Sequence, residues 1–180
     1  MNEAVKRLID KDQIRDLMAR YARGVDRADW KGLRATYHPD AFDDHGDYKG
    51  GVDGFIEHAK SRTGSAPQVM HFLGSCLIEF ASDDIAIVET YFFTAHTLGP
   101  EAQKLYGAEG TGGPVQISQY GRYVDRVERR NGEWRTAHRI VVFESTRLAL
   151  GEVPPIKPDW AHHHRSDSDP IFQMRREAGL

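Results

Sequence analysis

One stretch of the chain repeats apolar residues at a helical interval without a miss. Ile14, Leu17, Met18, Tyr21, Ala22 and Val25 obey the i, i+3, i+4, i+7 rule, with charged residues filling the gaps. The spacing predicts a helix over roughly residues 10–28, whose apolar stripe must be buried against another layer. Trp30, Leu33 and Tyr37 continue a helical spacing until Pro39-Asp40 stops it. "DDHGDYKGG" is turn-rich and leaves room for a short strand near Phe42 to His45, and Phe55, Ile56 and Ala59 mark a short helix. The period then changes. "VMHFLGSCLIEFA", "DIAIVETYFFTAHTL", "VQISQYGRYVDRVERR" and "EWRTAHRIVVFES" are rich in β-branched and aromatic residues, and Asn131-Gly132 is a two-residue hairpin turn. "GPEAQKLYGAEGTGGP" reads as a long Gly-rich loop. Helices first and strands afterwards predict an α+β domain over residues 1–145, with N-terminal helices packed on one face of a curved antiparallel sheet. Such a sheet closes a cone-shaped pocket against the first helix. The Pro-rich and then charged residues 146–180 read as a tail that packs on the body or on a neighbouring subunit.

The bulk properties narrow the functional classes. A chain of 180 residues with 39% hydrophobic residues has enough material for one packed domain. A net charge of −3 gives no electrostatic reason to expect nucleic acid or an anionic membrane as partner. A single cysteine, Cys76, excludes an intrachain disulfide and a thiolate metal cluster, and fits a cytoplasmic setting. The opening "MNEAVKRLIDKDQIRD" has no apolar signal core, and no apolar run approaches the ~18 residues of a membrane span.

Asp26 is the unexpected residue of the first helix. It lies four positions after Ala22 and eight after Met18, on the inward edge of the stripe. An ionised carboxylate is costly there unless it is paired. One reading makes Asp26 or Asp29 the cap of the next short helix. The other pairs Asp26 with a histidine: His71 in "MHFLGS" and His96 in "TAHTL" both sit in apolar strand runs, where a polar ring must find a partner. A carboxylate that fixes one imidazole nitrogen leaves the other free to take a proton, the arrangement of a general base.

"IRDLMARYARGVDRADWKGLRATYHPDA", "MHFLGS", a strand ending "TAHT", and "NGEWRTAHRIV" together resemble the SnoaL-like branch of the NTF2-like superfamily, with a scytalone dehydratase-like pattern over about residues 8–145. The resemblance implies a cone-shaped α+β fold, also called cystatin-like, no cofactor, and a homo-oligomer, a trimer in the first instance with a dimer as the alternative. It implies roles residue by residue. The family's catalytic aspartate falls on Asp26, its first histidine on His71 and its second on His96. Tyr21 occupies the place of a catalytic tyrosine in related bile-acid dehydratases, and Arg139 resembles a pocket arginine of lindane dehydrochlorinases. The departures are specific. Val25 replaces a tyrosine, His45 falls where a second water-holding tyrosine stands, and Tyr123 falls where an asparagine contacts substrate. The dyad is thus kept while the groups that polarise a naphthalenone substrate are not.

These features point to a cofactor-free lyase of the dehydratase type, acting on a small hydrophobic or aromatic hydroxy-ketone. His71 is the base oriented by Asp26, and His96, Tyr21 or His45 holds a carbonyl or the departing water. Phe72, Tyr91, Phe93 and Tyr123 are expected to line the pocket. An isomerase or polyketide cyclase using the same base, or a non-catalytic binding protein, are the alternatives. His162, His163 and His164 read as a solvated or subunit-contacting run rather than a metal site, because adjacent residues converge poorly on one ion.

Overall fold

The computed structural model describes residues 2–110, 113–151 and 154–180. Two helices open the chain, α1 (Glu3–Asp26) and α2 (Trp30–Ala35), followed by β1 (Tyr37–Asp44), β2 (Lys49–Gly51) and α3 (Val52–Thr63). The strands β3 (Gln68–Phe80) and β4 (Ile85–Thr97) come next, then α4 (Pro100–Leu105), β5 (Val115–Arg130), β6 (Glu133–Leu150) and α5 (Pro170–Glu177). The fold is α+β: helices on one side of a six-stranded curved sheet in the order β2-β1-β6-β5-β4-β3. All neighbours are antiparallel except β1 and β6, which run parallel and make the sheet mixed.

Helix α1 begins earlier than the apolar stripe suggests, because the side chain of Asn2 caps it by accepting from the Ala4 amide at 2.9 Å. Its stripe is buried as expected: Ile14, Leu17 and Met18 pack with Val88, Val127 and Trp134 of the sheet. Gly24 lets α2 come close, since a Cβ there would stand 2.9 Å from the Leu33 Cβ.

Several elements depart from the sequence expectation. Tyr37 opens β1 instead of ending a helix, and Pro39 is tolerated where the β1–β6 register shifts between Tyr37 and Phe42. The Gly-rich loop contains α4, started by Pro100 at its first turn. The strand after the hairpin does not stop at Ser145: pairing with β5 carries β6 to Leu150, so residues 146–150 belong to the sheet. Asn131 and Gly132 form the β5–β6 turn, both with positive φ (54° and 84°), as a tight hairpin of this type requires.

Beyond the sheet, the chain lies against the body through Arg165. Its guanidinium donates to the carbonyls of Val25 (3.0 Å), Asp26 (3.2 Å), Ala66 (3.1 Å) and Thr63. This sets a cation on the carbonyl end of α1. Asp169 caps α5 and pairs with Arg27 at 3.2 Å. The three consecutive histidines diverge: His162 bonds the Lys157 carbonyl, His163 the Pro67 carbonyl, and the His164 amide donates to Asp169. No helix among the described residues is long and apolar enough to cross a membrane.

Candidate active site

Between the sheet and helices α1 and α3 lies a cavity of about 290 Å³. Its inner wall follows from strand alternation. On β4, Val88, Thr90, Phe92 and Thr94 are buried and His96 continues their face, while on β3 Val69, His71 and Leu73 point the same way. Thr94 is the register partner of His71 and Val69 that of His96. The two imidazoles therefore meet on one face, their ring centroids 5.8 Å apart.

Asp26 reaches this wall from the last residue of α1. Its Oδ1 accepts from His71 Nδ1 at 2.6 Å and its Oδ2 from the His71 backbone amide at 3.0 Å. Both oxygens are thus committed to one residue, which fixes the ring orientation and places the proton on Nδ1. The side chains of His71 and Asp26 are 7% and 10% exposed, so the pair works in a medium that water screens poorly. Capping of α2 falls to Asp29 instead, whose Oδ1 accepts from the Gly32 amide at 2.8 Å. The two readings of the "GVDRAD" carboxylates are thereby separated: Asp29 caps, Asp26 pairs.

His96 is set apart by charge. Burial, and then the neighbouring His71 ring, pull its imidazole down from 6.5 to about 3, so it is neutral at ordinary pH. Its Nε2, the Thr94 hydroxyl and the His58 Nε2 all belong to residues that line the cavity, and all are buried without a hydrogen-bond partner among the described residues. Such atoms mark where polar atoms of a small molecule are best satisfied.

Tyr21 lines the cavity edge-on to His71, at 6.4 Å between centroids. Burial raises its hydroxyl above the ordinary phenol range, so it stays protonated. Behind it lies Arg139, which is wholly buried and absent from the cavity wall. Its guanidinium makes two 2.7 Å bonds to Asp125, its register partner on β5. It also sits 3.9 Å from the Tyr21 ring centroid and 4.2 Å from that of Tyr123. Arg139 thus does not line the cavity but supports two rings that do.

Tyr123 and His45 line the cavity as anticipated, Tyr123 stacked on Phe92 at 4.5 Å. Phe72, Tyr91 and Phe93 do not. They fall on the opposite parity of β3 and β4 and face outward, Phe72 66% and Tyr91 47% exposed, with Phe93 against Tyr120 on the outer face. The phenylalanines that line the cavity are instead Phe92, Phe55 from α3 and Phe143 from β6. Sequence reasoning also missed Asp43. It is fully buried, with Oδ1 3.0 Å from His45 Nδ1 and Oδ2 accepting from the Tyr37 hydroxyl at 2.7 Å. The signal was there: residues two apart on a strand share a face. Among the described residues no group of three or more His, Cys, Asp or Glu is placed to hold a metal ion.

A helix-borne aspartate thus meets a strand histidine inside a cavity between α1 and a curved sheet. The family model described as SnoaL-like domain matches residues 6–140, and the chain belongs to that family. No curated protein matches it. Among solved structures, a protein provisionally named a scytalone dehydratase from Novosphingobium aromaticivorans is similar at 18% identity and a TM-score of 0.67, covering 83% of this chain and 93% of that one. A hexachlorocyclohexane dehydrochlorinase from Novosphingobium barchaimii is similar at 20% identity and a TM-score of 0.70, covering 85% and 100%. A protein of unknown function with a cystatin-like fold from Nostoc punctiforme follows at 18% identity and 0.55, covering 76% and 92%. These likenesses establish the fold, and the chemistry has to be argued from the site.

Proposed function

We propose that the protein is a cofactor-independent lyase of the dehydratase type. It removes a carbon-bound proton beside a carbonyl and expels hydroxide, as water, from the neighbouring carbon. The observation that carries this reading is the double hold of Asp26 on His71, which leaves His71 Nε2 as the base. A binding protein has no need of an imidazole with a fixed tautomer at its cavity wall. The neutral His96 ring and the protonated Tyr21 hydroxyl are suited to hold the carbonyl oxygen as charge moves onto it. The two named structural neighbours carry names for loss of water and of hydrogen chloride, both eliminations. A cavity of about 290 Å³ walled by Tyr21, Phe55, Phe92 and Tyr123 suits a flat molecule of one or two rings.

The test is turnover of β-hydroxycyclohexanone and β-hydroxytetralone, followed by absorbance of the enone or phenol product. The wild type should accelerate loss of water, and His71→Gln should remove about 10²–10⁴ of that acceleration while keeping the native circular dichroism spectrum. Full activity in His71→Gln would overturn the assignment. Loss of isotope from the α-carbon without loss of water would instead favour an isomerase.

A further inference from the structure

The cavity holds a second imidazole on a carboxylate, built differently from the first. His45 extends from the end of β1, and its ring stacks on Phe55 at 4.9 Å with a 29° interplanar angle. Phe143 stands edge-on at 6.2 Å. Nδ1 is taken by Asp43, so Nε2 is the nitrogen left for a molecule in the cavity. Asp43 cannot turn away: it is fully buried, and its other oxygen is fixed by the buried Tyr37 hydroxyl. Two residues of β1, Asp43 directly and Tyr37 through it, thus hold the His45 ring in place. The two dyads are separated along the wall by Tyr21 and Phe55, with Tyr21 beside His71 and Phe55 beside His45. They also differ in access to water. The His45 side chain is 22% exposed against 7% for His71, so His45 can exchange protons with solvent while His71 is shielded.

An elimination of water needs two proton transfers at two neighbouring carbons, one off carbon and one onto the leaving oxygen. Resting on the dehydratase reading above, we infer that His45 is the proton donor to the leaving oxygen, with Asp43 and Tyr37 as its positioning residues. His71 Nε2 takes the proton from carbon, and the C–H pair becomes the new double bond. The C–O bond breaks with its electron pair on oxygen, and the proton on His45 Nε2 passes to that oxygen to give water. His45 then reloads from solvent, and His71 gives up its proton to water that enters the cavity once the product has left, so no other reactant is needed. Tyr21, whose hydroxyl burial holds firmly protonated, is left to the carbonyl.

The experiment compares two leaving groups. β-Hydroxycyclohexanone must have its leaving oxygen protonated, whereas β-chlorocyclohexanone expels chloride unaided. Both are followed by cyclohexenone absorbance, with the uncatalysed rate subtracted. His45→Gln should lower kcat for the hydroxy compound about 100-fold or more and change that for the chloro compound by no more than about threefold. Asp43→Asn should show the same selectivity, and Tyr37→Phe a smaller effect in the same direction. A purely structural role would depress both substrates alike. Equal losses on both, or no loss on either, in His45→Gln overturn the donor assignment. His71→Gln separates this failure from that of the underlying reading. It should depress both substrates about 100-fold, and if it depresses neither, the base assignment falls and the donor with it.

Discussion

Acidification from pH 7.5 to 5 tests how deeply His96 is sequestered. Burial and the adjacent His71 ring lower its imidazole to about 3 in the folded protein. In the unfolded chain the same ring titrates near its ordinary value of about 6.5. Between those values the unfolded state binds a proton that the folded state refuses. Stability from this group is therefore complete above about pH 6.5, falls as pH drops below it, and levels off only near pH 3. At pH 5 the unfolded ring lies ~1.5 pH units below its titration point, and at about 1.4 kcal/mol per unit the acid penalty comes to about 2 kcal/mol. At pH 7.5 it is close to zero. His96→Gln keeps a polar group of similar reach but cannot titrate. Urea unfolding of both proteins at both pH values isolates the effect, because the other ionisable groups are common to the pair. The stability difference should move by about 2 kcal/mol in favour of the variant at pH 5. An unchanged difference would mean that the native ring accepts a proton as readily as the unfolded one, and would refute its role as a neutral partner for a carbonyl.

Three further outcomes follow from the packing. Arg139→Met leaves Asp125 buried and unpaired beneath Tyr21 and Tyr123, and should cost about 3–5 kcal/mol in chemical denaturation, much of it regained by adding Asp125→Leu. Arg165→Ala removes the donor to four carbonyls at the ends of α1 and α3, and should lower stability by about 1–3 kcal/mol in thermal or urea unfolding even though the residue lies outside the sheet domain. The resemblance to the family implies a homo-oligomer, and we propose that the outward Phe72, Leu77, Tyr91 and Tyr120 on the outer side of the sheet contribute to its interface. Light scattering should give an oligomeric mass, a trimer in the first instance, that falls to the monomer in Phe72→Glu/Leu77→Glu; a monomeric wild type would refute this.

What could be read from the sequence was whatever local periodicity carries. The stripe from Ile14 to Val25 and the four apolar runs gave the layers, and polar residues inside those runs marked Asp26, His71 and His96. What could not be read was set by neighbours distant in sequence. The parallel pairing of β1 with β6 depends on where the chain re-enters the sheet. The choice between Phe92 and Phe93 depends on strand parity, which residue type does not reveal. The parity of Asp43 with His45 was legible, but its burial was not: "DDHGD" is full of solvent-loving residues, yet the Asp43 carboxylate is sealed under Tyr37. Arg165 gave no local signal, since its partners are carbonyls that only the folded helix ends expose.

The central claim is that Asp26 fixes His71 as a base for a proton on carbon, and the most direct measurement removes the leaving group altogether. Cyclohexanone and tetralone incubated in deuterium oxide can exchange their α-protons but cannot eliminate water. Proton NMR of the ketone should show the wild type washing deuterium into the α-carbon, with His71→Gln and Asp26→Asn slowed by about 10²–10⁴ towards the uncatalysed rate. Exchange that is absent in the wild type, or undiminished in His71→Gln, would contradict the account.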